Sequence, residues 1–327
     1  MQEMMAPRSD PLGVLATTRH VVDQATWVRI EPTGIAALAD DLAGRDATPP
    51  AWNRDLHWSD GNERMANYLL VLDALNFSFW GEPRWRVRHD DVLLDGYWAL
   101  AAALTRALTR GVPLDDARYL AAIGRDQLGE ILAGEHEIPL LAERVQILRE
   151  VGHGLRDRWD GRFSDAIAAA GRRGTRLVEI VSADFPSFRD VTVYRGAEVR
   201  FYKRAQILVS DLHGAFGGIG PGTFDDLAEL TAFADYKVPQ VLHHLGVLDY
   251  APQLVERLAG RVEIPAGSPD EVEIRAATIW AVEELRRALA ERGRTFDAYQ
   301  LDWLLWDAGQ RLDAGVLPYH RTRTICY

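Results

Sequence analysis

The chain has 327 residues, 47% of them hydrophobic and 26% charged, which supports a large buried core and excludes wholesale disorder. A net charge of −11 disfavours tight non-specific binding to a polyanion, because each phosphate contact needs a local cation. A single cysteine, Cys326, excludes an internal disulfide and a cysteine-based zinc site.

MQEMMAPRSD at the start lacks the charged-then-apolar layout of a signal peptide, and no apolar run reaches membrane-spanning length, so a cytoplasmic location is expected. TWVRI (26–30) reads as an isolated strand. Five of the ten tryptophans fall between 52 and 98. NYLLVLDALNFSFW (67–80) has helical spacing, which puts Asp73, Asn76 and Trp80 on one face. An aromatic stripe of this kind is ordinarily core, but the two polar residues point to recognition. YWALAAALTRALTRG (97–111) reads as a helix stopped by Gly111, and 140–155 reads as an amphipathic helix. VTVYRGAEVRFY (191–202) predicts a hairpin around Arg195-Gly196, and GGIGPG (217–222) a loop.

Residues 224–246 predict helix, turn, helix. Asp225 and Asp226 cap the first helix, and Pro239 sits in the first turn of the second. Asp235, Tyr236 and Lys237 fall at the connection, where a helix dipole favours a carboxylate. Ser268, Pro269 and Glu271 predict a capping box opening a helix with Val272, Ala276, Ile279, Val282, Leu285 and Leu289 on one stripe. Glu273 and Arg275 lie early in it, two residues apart, and project to different partners. LDWLLWDAGQRL is the last predicted helix. The whole reads as a mostly α single domain over 1–327 with a small β-hairpin. Its N-terminal lobe runs to about 185, and a site-bearing lobe covers 186–327.

VRFYKRAQILVSD (199–211) sets Lys203, Arg204, Gln206 and Asp211 inside apolar text. An unpaired buried charge costs several kcal/mol, so these groups need one another, other protein groups or a polar anionic ligand. The pattern recurs at 231–240, 267–275, 300–309 and 318–327. Asp302 and Trp306 are four apart and share a helix face. In such apolar company the Asp302 carboxyl should titrate high unless a cation pairs with it. The plainer reading makes Asp302 and Asp235 helix caps and Lys237 a solvated turn residue. Arg321 and Arg323 form a basic segment beside Ile325, Cys326 and Tyr327, which look docked. There is no HExxH, no Walker loop and no GxSxG, and His243-His244 are adjacent, so neither metal nor nucleotide cofactor is supported.

FYKRAQILVSDL, LTAFADYKVPQVLHHLGVLDY, GSPDEVEIRA, LDWLLWD and PYHRTRTICY resemble the queuosine salvage family, from about residue 55 onward. LVLDALNFSFW and LDGYWALAAALTRAL resemble that family's earlier segments in the same order. Cys326 departs from the pattern, where an aromatic is expected. The resemblance implies a helical fold similar to helix-hairpin-helix DNA glycosylases. It implies hydrolysis of the N-glycosidic bond of queuosine 5'-monophosphate to queuine and ribose 5-phosphate, with no membrane or direct nucleic-acid partner. Such chemistry needs a carboxylate beside an oxocarbenium-like sugar, with Asp302 favoured over Asp235. It needs cations for the phosphate among Lys203, Arg204, Lys237, Arg275, Arg321 and Arg323. Aromatic faces for the base are Trp80, Phe233, Tyr236, Trp303 and Trp306. A polar edge reader is sought among Asp73, Asn76, Asp211 and Asp235. Three rivals stand beside this reading: a DNA or tRNA glycosylase, a non-catalytic nucleotide-binding module, and a structural helical protein with buried ion pairs.

Overall fold

The computed structural model describes residues 8–45, 47–313 and 315–327. It is mostly helical, with three two-stranded antiparallel sheets among those residues. Helices α1 (Val14–Val22) and α2 (Pro32–Gly44) flank strand β1 (Val28–Ile30). Helix α3 (Arg64–Ala74) precedes a hairpin, β2 (Arg86–His89) and β3 (Val92–Asp95), that runs directly into α4 (Gly96–Thr109). The first half continues with α5 (Ala117–Ala122), α6 (Arg125–Ile131), α7 (Leu141–Trp159), α8 (Phe163–Ala169) and α9 (Gly174–Asp184). Hairpin β4 (Val191–Tyr194) and β5 (Ala197–Arg200) feeds α10 (Lys203–Ala215). Then come α11 (Lys237–His244), β6 (Leu248–Tyr250), α12 (Pro252–Ala259), α13 (Pro269–Glu291) and α14 (Ala298–Gly309).

The β4–β5 hairpin turns where expected, with Arg195 and Gly196 both at positive φ, as a two-residue turn between twisted strands requires. The strand at 26–30 is not isolated, since Val28 faces Tyr250 across β6. Gly34 permits the neighbouring approach, because a Cβ there would lie 2.0 Å from the Gly246 carbonyl oxygen. The β2–β3 hairpin was not read from the sequence. Its turn, Asp90-Asp91, has no glycine, and Asp90 itself takes the left-handed conformation.

The helix expected over 67–80 ends at Ala74. Two buried arginines take the carbonyls that would otherwise continue it. Arg144 donates to Leu75, Phe77 and Ser78, and Arg204 to Asp73, Ala74 and Ser187. Asp73 therefore lies on the helix, whereas Asn76 and Trp80 lie on the segment beyond it. The first helix expected within 224–246 is also absent. Only a 3-10 turn at Leu227–Glu229 forms, followed by an extended run to Asp235. Asp226 caps a different helix, accepting from the Gly174 N–H at 2.5 Å and the Thr175 hydroxyl at 2.6 Å at the start of α9. The box at α13 stays open. Ser268 donates to Asp270, while Glu271 takes the Gly267 N–H at 3.0 Å and the Tyr327 hydroxyl at 2.8 Å.

Helix α13 is buried almost all round because two cores share it. Val272, Ala276, Ile279 and Trp280 join the larger core, while Ile274, Ala277, Ala281, Leu285 and Leu289 join the one built on α2, α11, α12 and α14. The expected single stripe is therefore divided between two partners, as for a helix with apolar residues on all sides. Glu273 and Arg275 do serve different partners. Glu273 accepts from the Thr26 and Trp27 N–H groups and from Tyr194 Oη.

Arg275 makes a buried bidentate pair with Asp190 at 3.0 and 2.5 Å, lies 3.8 Å over the Phe201 ring, and donates to the Ala234 carbonyl at 3.1 Å. Asp190 in turn accepts from the Lys203 N–H at 3.2 Å. Breaking a buried pair by removing one partner leaves an uncompensated charge. Arg275→Ala is expected to cost about 3–5 kcal/mol in denaturant unfolding. Combining Asp190→Asn with it should recover part of that loss, and additive losses would contradict the pairing.

Candidate active site

A cavity of about 190 Å³ opens between α4, α10, α14 and the extended run that leads into α11. Three of its charged groups come from sequence-distant elements. Asp302 sits in the second turn of α14, past Asp297 at the N-cap, so it is not a cap. Its Oδ1 accepts from the Phe233 N–H at 2.8 Å. That N–H is available because the chain is not helical at 233, where a helix would have consumed it. Asp235 does cap α11, with Oδ1 accepting from the Lys237 and Val238 N–H groups, both at 2.8 Å. Lys203 opens α10 after Tyr202 at φ 50, and its Nζ lies 3.4 Å from the Asn76 carbonyl.

Burial dominates the electrostatics. It lifts Asp302 well above the usual carboxylate range, and the Asp235 charge lifts it further, against the Phe233 N–H and Lys203. Burial also raises Asp235, but Lys203 and two backbone N–H groups oppose it. Lys203 is lowered by burial and held up chiefly by Asp235, then Asp73. Asp211 is pushed up to about 7 by burial, against the Tyr97 hydroxyl 3.2 Å away and Lys203. Asp73, beneath it, is raised by burial and by the Asp211 charge. Lys203 is the one cation that acts on all four carboxyl groups, with Arg204 adding to it at Asp73 and Lys237 at Asp235, so burial is only partly offset and favours protonation.

The walls are aromatic. Trp306 meets Tyr97 and Trp98 edge to face at 5.8 and 5.4 Å, and Tyr236 lies 4.8 Å from Tyr319. Gly214 lets the rings of Trp52 and Trp303 rest on α10, since a Cβ there would stand 3.2 and 3.3 Å from them. Two further cations line the cavity. Lys237 Nζ is 3.3 Å from the Gly309 carbonyl and 5.5 Å from the Tyr319 ring centroid, and Arg84 pairs with Asp95 at 2.6 Å. Among the described residues no group of three His, Cys, Asp or Glu is arranged to hold a metal ion, and no helix is long and apolar enough to cross a membrane.

The family model described as queuosine salvage protein matches residues 56–327. The chain belongs to the queuosine salvage family. Its relatives include three proteins named queuosine 5'-phosphate N-glycosylase/hydrolase. That of Sphaerobacter thermophilus is 69% identical, over 99% of this chain and all of the relative. That of Mus musculus is 35% identical, over 97% and 99%. That of Schizosaccharomyces pombe is 32% identical, over 96% and 99%.

In this family member, eleven of the residues singled out from sequence line the cavity: Asn76, Trp80, Lys203, Asp211, Phe233, Asp235, Tyr236, Lys237, Asp302, Trp303 and Trp306. Six lie outside its lining. Asp73 is behind Asp211, Arg204 is spent on backbone carbonyls, and Glu273 and Arg275 are tied into the core. Arg321 pairs with Glu82 at 2.7 Å, and Arg323 with Glu263 at 3.1 Å on the surface, 4.9 Å from the outer Trp80 ring. Sequence reasoning missed Trp52, His57, Arg84, Asp95, Tyr97, Trp98 and Tyr319 as wall residues. The tryptophan cluster at 52–98 was the only signal for the first six, and the pattern at 318–327 the only one for Tyr319.

The raised carboxyl groups have a stability consequence. Each binds a proton more readily folded than unfolded, so its contribution is present in acid and is lost as pH rises through the folded value. For Asp211 that window runs from the ordinary carboxylate range to about 7. The melting temperature of Asp211→Asn, measured by calorimetry, is expected to gain on the parent between pH 5 and pH 8. A constant difference would contradict a buried acid at this position.

Proposed function

We propose that the cavity hydrolyses the N-glycosidic bond of queuosine 5'-monophosphate, releasing queuine and ribose 5-phosphate so that the base is re-used in tRNA modification. The names of the relatives support the substrate, and one observation supports the chemistry. Asp235 and Asp302 share a single aromatic cavity with Lys203, in environments that separate their protonation states. Such a divided pair is how a site assigns acid and base roles at one pH.

Cleavage leaves oxocarbenium-like charge on the ribose. Asp235 is the better anion, with two N–H donors, a helix N-terminus and Lys203 beside it. We assign it to stabilise that charge and to take the proton of the attacking water. Asp302 was favoured for this from sequence because its neighbours desolvate it. The same desolvation raises it well above the usual carboxylate range and favours its neutral form, so Asp302 is the weaker anion of the two and orients through the Phe233 N–H. The flat base lies against Trp306 or Tyr236. The 5'-phosphate is met at the rim by Lys237 and Arg84, because Lys203 is enclosed by carboxyl groups. Arg84 is paired with Asp95 as Arg275, Arg321 and Arg323 are with their carboxylates, but of these four only Arg84 lines the cavity.

We carry the unit as one domain over 1–327, since α13 belongs to both cores. Kinship with helix-hairpin-helix DNA glycosylases is supported by helical content together with a buried aspartate on a helix at the cavity. A free nucleotide rather than tRNA as substrate is supported by the net charge of −11.

Asp235→Asn should lower kcat by on the order of 10²-fold or more with base release followed chromatographically. Near-normal turnover in both Asp235→Asn and Asp302→Asn would refute the pair. Lys237→Met should weaken the monophosphate far more than unphosphorylated queuosine, and equal losses would make Lys237 structural. Comparable rates on the monophosphate and on queuosine-containing tRNA would favour a tRNA glycosylase.

A further inference from the structure

One hydrogen-bonded chain at the cavity is not used by this mechanism. His57 Nδ1 lies 2.5 Å from the Asn53 carbonyl oxygen, and its Nε2 lies 2.9 Å from Tyr97 Oη. Tyr97 Oη lies 3.2 Å from Asp211 Oδ2. All three side chains line the cavity. A carbonyl cannot donate, so Nδ1 must carry a proton. If the imidazole is neutral, Nε2 is bare and must accept from Tyr97. The phenol has one proton, and it is then committed to His57. The Tyr97–Asp211 bond can be made only if Asp211 is protonated and donates to the phenol oxygen.

The other arrangement holds the same number of protons. An imidazolium would donate to Tyr97, and Tyr97 would donate to an Asp211 carboxylate. Burial decides between them. His57 is 5% exposed, with no carboxylate in contact, and burial lowers it to about 4 against the Asn53 bond. Asp211 faces Tyr97 from α4, Asp73 and Tyr68 from α3, and Lys203 one helical stretch away on α10. Lys203 is the only cation among them and is shared with Asp235 and Asp302. Separating charge onto His57 and Asp211 would bury two ions where none is needed.

The geometry points to Asp211 as a specificity-determining residue that works as a neutral carboxylic acid, with His57 and Tyr97 as the positioning residues that fix its proton on the Tyr97 side. Its other oxygen is then an uncharged acceptor on a residue that lines the cavity. That suits the N–H and amino donors on the edge of a guanine-like base without adding an anion near the departing, electron-rich ring. The assignment to the base rests on the proposed function. The protonation pattern does not.

The two are separated by experiment. Nitrogen NMR of His57 in the ligand-free protein near pH 6 should show a protonated Nδ1 and a bare Nε2. The infrared difference between parent and Asp211→Asn should contain the carbonyl band of a protonated carboxyl, lost on raising the pH through neutrality. An imidazolium signal, or no protonated-carboxyl band, would overturn the proposal whatever the enzyme's substrate. For the base, the probe is free queuine in calorimetric titration. Asn reproduces both the donor to Tyr97 and the acceptor to the cavity, whereas Leu reproduces neither. Asp211→Leu should weaken queuine at least tenfold, with Asp211→Asn rescuing most of that loss and removing the weakening of affinity above neutrality. Asn as damaging as Leu would mean that Asp211 acts as a carboxylate, and no effect of either would mean that it does not read the base. Tyr97→Phe should change the pH dependence of queuine affinity, and an unaltered profile would remove Tyr97 from the chain.

Discussion

The buried pair between Arg275 and Asp190 is the constraint from which the site is suspended. Asp190 holds the first N–H of α10 and thereby sets Lys203, and Arg275 holds the Ala234 carbonyl immediately before Asp235. Glu271, 3.7 Å from Arg275, binds the Tyr327 hydroxyl and brings that ring to the cavity. A hydrophobic isostere could match such a pair in stability. It could not address three separate chain segments through directional donors, which is what places a cation, a carboxylate and a wall side by side.

The irregular run from Leu230 to Asp235 is the second organising feature. Buried extended backbone must find hydrogen-bond partners, and without a neighbouring strand these must be side chains. Gln206 takes the Thr231 N–H at 2.9 Å, Asp302 takes that of Phe233, and Arg275 takes the Ala234 carbonyl. A regular helix here would have satisfied itself and left Asp302 without its donor. The same logic governs the end of α3, where Arg204 binds the Asp73 and Ala74 carbonyls and Arg144 those of Leu75, Phe77 and Ser78, fixing the segment that carries Asn76 and Phe77 to the cavity. The polar residues embedded in apolar sequence thus divide into those that hold backbone and those that face the cavity.

Charge is deliberately scarce in this cavity. Only Lys203 acts on all four buried carboxyl groups, so protons stand in where cations are few, and stability is given up as pH rises. Burial favours the neutral forms of Asp302 and Asp211, and Asp235, supported by Lys203 and two N–H donors, is left as the better anion, next to a helix N-terminus and in a medium where electrostatic effects are strong.

The sequence alone determined the helical class, the β4–β5 hairpin, the start of α13 at Pro269, and most of the charged but fewer than half of the aromatic cavity residues. It could do so because periodicity and Gly or Pro punctuation are local, and because a charge in apolar text announces that it needs a partner. It could not say which partner. Lys203 and Arg204 are adjacent and read alike, yet one reaches the cavity and the other binds carbonyls, because α10 turns them to different sides. Arg275 and Arg323 both looked like phosphate ligands, but Asp190 and Glu263, which pair with them, are 85 and 60 residues away in the chain. The ends of α3 and the missing helix before α11 were decided by arginine and aspartate side chains from other elements. His57 and Tyr97 carried no signal beyond the tryptophan-rich stretch around them, since their significance is a hydrogen-bonded chain that exists only once the fold brings Tyr97 of α4 to Asp211 of α10.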